Sequence, residues 1–134
     1  MKIIYKNKFT IITAIFILIV LLMPTSDIDD GTISFFDLIP FFDKIVHCCI
    51  FGFLSLVFAT ECFFQDKTKN FILKNIIILL IFAVLTEVLQ KLTGYRTFDI
   101  FDIFADTVGF VTGTFIVSFI IKKKFTNHNS QEIL

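Results

Sequence analysis

The chain has 134 residues, 12 Lys and Arg balanced by 12 Asp and Glu, and a mean hydropathy of +0.87 with 56% hydrophobic residues and 20 Phe. So much apolar surface excludes a small soluble domain and points to an integral membrane protein, while zero net charge and the absence of a recognition motif exclude nucleic acid as a partner. The cysteine count of three, with no CxxC spacing, provides no disulfide framework; Cys48, Cys49 and Cys62 read as small apolar residues.

The hydropathy pattern predicts an all-α fold, a four-helix transmembrane bundle in one domain. The first span is expected over roughly residues 9–23, with Lys6 and Lys8 snorkelling if it starts near Ile3. Fifteen residues cover only ~22 Å at ~1.5 Å each, against a hydrocarbon core of ~30 Å. Met23-Pro24-Thr25-Ser26-Asp27 follows, which is no small-residue cleavage site, so this helix is expected to be retained. Residues 25–43 read as an acidic extracytoplasmic loop, with Phe35-Phe36 and Ile39-Pro40-Phe41-Phe42 suited to the interface. Further spans are expected over roughly 44–64, 71–90 and 99–121, separated by polar turns at 65–70 and 91–98. Residues 122–134 form a polar tail, frayed from Phe125.

Nine lysines (Lys2, Lys6, Lys8, Lys67, Lys69, Lys74, Lys122, Lys123 and Lys124) fall on one side of these spans, and Lys44, Lys91 and Arg96 on the other. The positive-inside rule then places both termini in the cytoplasm. If the chain is bacterial, the expected location is the cytoplasmic membrane.

Polar groups inside the spans collect at the outward end. A charge at the bilayer centre costs roughly 2.5–3.5 kcal/mol on the insertion scale, so their common depth argues for a site. Asp43 and His47 are i and i+4 on one helix face; Asp43 sits where a carboxylate caps free N–H groups. His47 reads either as an interhelical hydrogen-bonding group or as a base, proton relay or metal ligand. Glu87 and Gln90 share a face of the third span, and Glu87 follows a clean apolar run. Arg96, the sole arginine, suits a carboxylate or phosphate. Asp99, Asp102, Asp106, Gly109 and Gly113 form one helical stripe, its glycines permitting close helix approach. Asp102 and Asp106 require protonation, a basic partner or a cation. Glu61 lies at the opposite end and reads as an interface residue. Toward the cytoplasm the later spans read as apolar apart from Thr60, Glu61 and flanking lysines.

The order Asp43-Lys44-x-x-His47, Glu87-x-x-Gln90, Arg96, Asp102 and Gly109 resembles the VanZ-like family over about residues 41–121. The resemblance implies a small bacterial integral membrane protein, in a family named for a teicoplanin-associated glycopeptide-resistance accessory protein. Where that family commonly has Asn four residues after the Asp of the last span, this chain has Asp106.

Three functions compete. In the first, the outward site recognises an envelope lipid or lipopeptide headgroup through Asp43, Lys44, Gln90, Arg96, Asp99 and Asp106, in the setting of glycopeptide tolerance. In the second, it modifies a lipid or lipid-linked precursor at the outer leaflet, with His47 or Glu87 as acid or base, Arg96 and Lys44 holding an anionic headgroup, and Asp102 and Asp106 orienting the base or binding a divalent cation. No G-x-S-x-G, HExxH or P-loop accompanies these residues. The third, an ion-coupled carrier, lacks a polar ladder toward the cytoplasm.

Overall fold

A computed structural model describes residues 7–23, 41–65, 71–94 and 98–131, with side chains to Phe64 in the second helix and Lys123 in the last. The described residues form α1 (Lys8–Leu22), α2 (Phe42–Gln65), α3 (Phe71–Thr93) and α4 (Ile100–Gln131), with no strand among them. Three stretches are long and apolar enough to cross a membrane: Phe42–Phe64, Phe71–Thr93 and Ile100–Lys123. The all-α membrane bundle expected from hydropathy is therefore present. Helix α1 is shorter, at 15 residues.

Each helix end has a local cause. Helix α1 stops where Met23 takes an extended conformation (φ −62°, ψ 131°), as a residue preceding proline must. Phe41 enters α2 in the left-handed region (φ 63°), a costly conformation for a bulky residue, while its carbonyl accepts the Ile45 N–H at 3.1 Å. Gly94, at φ 76°, closes α3, donating its N–H to the Lys91 carbonyl; a left-handed glycine is the usual helix stop. Asp99 opens α4 as its N-cap, its carboxylate accepting the Phe101 N–H at 2.9 Å.

Helix α4 departs from the expectation of a frayed tail, continuing through Lys122-Lys123-Lys124 to Gln131. Lysine is a good helix former, and residues 122–131 contain neither glycine nor proline to stop the helix. Loss of hydrophobicity marks where a helix leaves the membrane, which need not be where it ends.

The principal packing is α2 against α4. Pairs along it advance together, from Lys44 with Asp99 through His47 with Asp106 to Ser55 with Thr114, so the two helices run parallel, with α3 antiparallel beside them. Gly109 and Gly113 make this closeness possible. A Cβ at Gly109 would collide with the Cys48 carbonyl oxygen, and one at Gly113 would lie 2.7 Å from the Gly52 carbonyl oxygen. Just beyond, the Ser55 hydroxyl donates to the Phe110 carbonyl at 2.7 Å and meets the Thr114 hydroxyl at 2.8 Å.

The bundle is apolar outside and partly polar inside. Phe53, Ile81, Phe104 and Phe119 are exposed, whereas His47, Asn75, Glu87, Gln90, Asp106 and Thr114 are buried among Phe51, Leu54, Phe58, Leu79 and Phe110. Apolar exteriors suit a hydrocarbon solvent, and polar interiors satisfy groups that lipid cannot. The half of the bundle away from the charged end is more polar than its sequence suggests, with Asn75 and Ser118 buried in it.

Helix α1 is tied at both ends by side chains from other helices. Glu61 accepts the Phe9 N–H at 3.0 Å, the Thr10 N–H at 2.9 Å and the Thr10 hydroxyl at 2.6 Å. Glu61, at the end of the bundle opposite the cluster, thus satisfies free donors in the first turn of a neighbouring helix, a partner that its sequence position did not reveal. At the other end, the Gln90 amide donates to the Leu21 carbonyl at 3.2 Å.

Candidate functional site

The site lies where α2 and α4 begin and α3 ends. Lys44, in the first turn of α2, places its ammonium 2.6 Å from Asp99 Oδ2 and 2.7 Å from Asp102 Oδ1. One turn deeper, His47 Nδ1 lies 3.0 Å from Asp106 Oδ1, with both residues fully buried. With Asp106 ionised, its carboxylate accepts this bond and the imidazole hydrogen stands on Nδ1. A neutral ring then presents Nε2 as a lone pair, and Nε2 is buried with no hydrogen-bond partner among the described residues.

Glu87 enters from α3. Its Oε1 accepts the Asp99 N–H at 2.7 Å, tying α3 to the start of α4, while buried Oε2 has no hydrogen-bond partner among the described residues. Asp106 Oδ2 is in the same condition. Buried polar atoms are satisfied in the great majority of cases. Among the described residues, Asn75 and Ser118 leave others without a partner in the opposite half, but only at this end do such atoms stand among several titratable side chains, where a ligand, ion or water can meet them. Asp43, His47 and Asp102 converge further: one ligand atom from each lies within 4.8 Å of the others.

The residues expected at the site divide by placement. Asp43, Lys44, His47, Glu87, Asp99, Asp102 and Asp106 come together. Gln90 is buried nearby, with its amide directed to Leu21. Arg96 lies outside the described residues. Sequence reasoning assigned no role to the second bond of Lys44. Its ammonium is already shared between two carboxylates, and this leaves it poorly placed to neutralise an anion. Among the described residues of this end, carboxylates outnumber basic groups.

Asp99 stands just outside the membrane-spanning stretch. The hydrogen bond from Lys44 holds its carboxyl below the usual carboxylate range, with the Phe101 N–H adding to the effect.

Beside this polar cluster runs a groove of about 570 Å³ between α2 and α4, on the outer face of the bundle. Phe41, Ile45, Phe101, Phe104 and Val108 line it, and Lys44 and Asp99 stand where the helices begin. The groove can hold an apolar chain while the cluster meets a polar head.

The family model described as VanZ/LLP1 matches residues 3–122, which include every residue of the cluster. The chain belongs to the VanZ/LLP1 family. No curated protein and no solved structure matches it. Membership agrees with the resemblance carried by Asp43, Lys44, His47, Glu87, Gln90, Arg96, Asp102 and Gly109. In this VanZ/LLP1 chain the stripe on the last span has a packing role and a polar role: its glycines seat α4 against α2, and its aspartates meet Lys44 and His47.

Proposed function

We propose that this VanZ/LLP1 protein recognises the headgroup of an envelope lipid or lipopeptide at the outward end of its bundle. The observation that supports this most directly is the apolar groove ending at the Lys44–Asp99 pair, beside a buried acid-rich cluster. A chain lying along Ile45, Phe104 and Val108 would bring its headgroup to the cluster. The surplus of carboxylates favours a head carrying a cationic group, such as an amine. Bacterial cytoplasmic-membrane residence and altered glycopeptide tolerance, teicoplanin included, belong to this proposal as its setting and phenotype.

The test is mass spectrometry of lipids retained by the purified protein. One lipid class is expected to be enriched over bulk membrane. Narrowing the groove with Val108→Trp, or removing a carboxylate at its polar end with Asp99→Asn, should reduce that enrichment. Retained lipid that mirrors bulk membrane in every variant would refute the reading.

A specific geometry favours a second reading. A histidine oriented through Nδ1 by a carboxylate, with Nε2 left as acceptor, is the arrangement of a general base, and Glu87 offers a second titratable group. On this reading the protein modifies the headgroup that it binds. Comparative lipidomics of cells producing the intact protein or a His47→Ala/Glu87→Gln double variant separates the two. A lipid that changes only with the intact protein indicates turnover, and an unchanged profile at matched expression leaves recognition alone.

A further inference from the structure

We propose that Asp43, His47 and Asp102 form a binding site for a divalent cation of the Mn²⁺ type, with Asp106 as the positioning residue behind the histidine. This deepens the headgroup reading, on which it rests for the role of the cation, since a metal ion there would bridge the protein to oxygen atoms of a bound head. The binding chemistry stands on the residues themselves.

The first ground is convergence. Two carboxylates and an imidazole, from α2 and α4, bring ligand atoms within 4.8 Å of one another. Two ligands at about 2.0–2.2 Å from a common ion lie up to roughly 4.4 Å apart, so small side-chain movements complete the site. The second ground is independent of the acids: His47 is fully buried, its Nδ1 is engaged, and its Nε2 lacks a hydrogen-bond partner among the described residues. Protonating a neighbouring carboxyl would relieve charge repulsion, whereas an ion at Nε2 relieves the repulsion and also gives the nitrogen a partner.

The third ground is Asp106. Metal-ligating histidines almost always give their other N–H to a carboxylate, carbonyl or water, which fixes the tautomer and the ring plane. His47 has this arrangement, at 3.0 Å. Lys44 stands 2.7 Å from Asp102 Oδ1, so an ion here would share the Asp102 carboxylate with the ammonium. The set contains oxygen and imidazole donors and no thiolate, a composition suited to Mn²⁺ and neighbouring divalent ions rather than to soft metals.

The test uses the full chain in detergent, stripped with a chelator and titrated with Mn²⁺. Saturable binding near one ion per chain is expected, with nitrogen modulation from imidazole in the electron spin-echo spectrum of the bound Mn²⁺. His47→Gln and Asp43→Asn should each weaken binding at least tenfold. Asp106→Asn should weaken it 10–100-fold and alter the nitrogen coupling, while Asn75→Ala leaves it unchanged. The imidazole signal is read on the unaltered protein, so a variant that fails to fold does not decide the matter. Absence of saturable Mn²⁺ binding, or bound Mn²⁺ without imidazole nitrogen, overturns the proposal. Lipid retention measured with and without chelator separates the two ideas: lipid enrichment without Mn²⁺ binding overturns the cation site alone, and Mn²⁺ binding without lipid enrichment overturns the headgroup reading alone.

Discussion

Single residues in this bundle hold whole helices in place, and Glu61 is the clearest case. Its carboxylate accepts three hydrogen bonds from the first turn of α1, a helix only 15 residues long. Removing a cap typically costs about 0.5–2 kcal/mol, so Glu61→Ala should destabilise the protein by about that amount. Hydrogen exchange should show the Phe9 and Thr10 amides losing protection first. Asp99 permits a second prediction, this one with a pH sign. Lys44 lowers its carboxyl pKa in the folded state, so the pair contributes stability above the unfolded value of about 3.9. That contribution is lost as pH falls through the lower folded value. Asp99→Asn keeps a good N-cap while removing the charge. Thermal unfolding in detergent should therefore show a shallower acid limb below about pH 4 for this variant than for the unaltered chain.

The contact between α2 and α4 ranks its own glycines. A Cβ at Gly109 runs into the Cys48 backbone, one at Gly113 reaches the Gly52 carbonyl at 2.7 Å, and one at Gly52 finds its nearest atom, the Gly109 oxygen, at 3.5 Å. The first two distances require backbone movement, and the third is ordinary contact. Overpacking of this kind costs about 1–3 kcal/mol or more. Gly109→Ala should thus be the most damaging, Gly113→Ala intermediate, and Gly52→Ala within about 1 kcal/mol of neutral. Denaturant titration in mixed micelles checks the order; equal losses at all three positions would contradict the close parallel contact. Helical spacing alone revealed the stripe from Asp99 to Gly113, because periodicity is a local property. It could not reveal that Gly109 meets Cys48 or that Glu61 serves α1, because those depend on which helices become neighbours. The extension of α4 to Gln131 escaped for another reason: hydropathy reports the membrane boundary, and helix propensity carries the chain beyond it.

The whole molecule has two chemically distinct ends, and its orientation decides which lipid leaflet the cluster meets. The start of α1 lies by Glu61 near the end of α2, so Lys8 shares an end with Lys74 and with Lys122 and Lys123 near the exit of α4. The cluster and Lys91 occupy the other end. Hydropathy sufficed to find the spans and to put Asp43, His47, Glu87 and the aspartates of α4 at one depth. Their pairing, His47 with Asp106 and Lys44 with two acids, required the parallel packing of α2 on α4. The lysine bias predicts that the cluster faces outward. In a background with Cys48, Cys49 and Cys62 replaced by Ser, Leu92→Cys should react with a membrane-impermeant maleimide in intact cells. Asn129→Cys should react only after permeabilisation. Leu92 is exposed at the cluster end of α3, and Asn129 lies in the polar extension of α4, so the two positions sample opposite faces. The reverse labelling pattern would put the groove and the His47–Asp106 pair at the inner leaflet. The headgroups within reach would then be those of the cytoplasmic face, and a direct encounter with an extracellular glycopeptide would be ruled out.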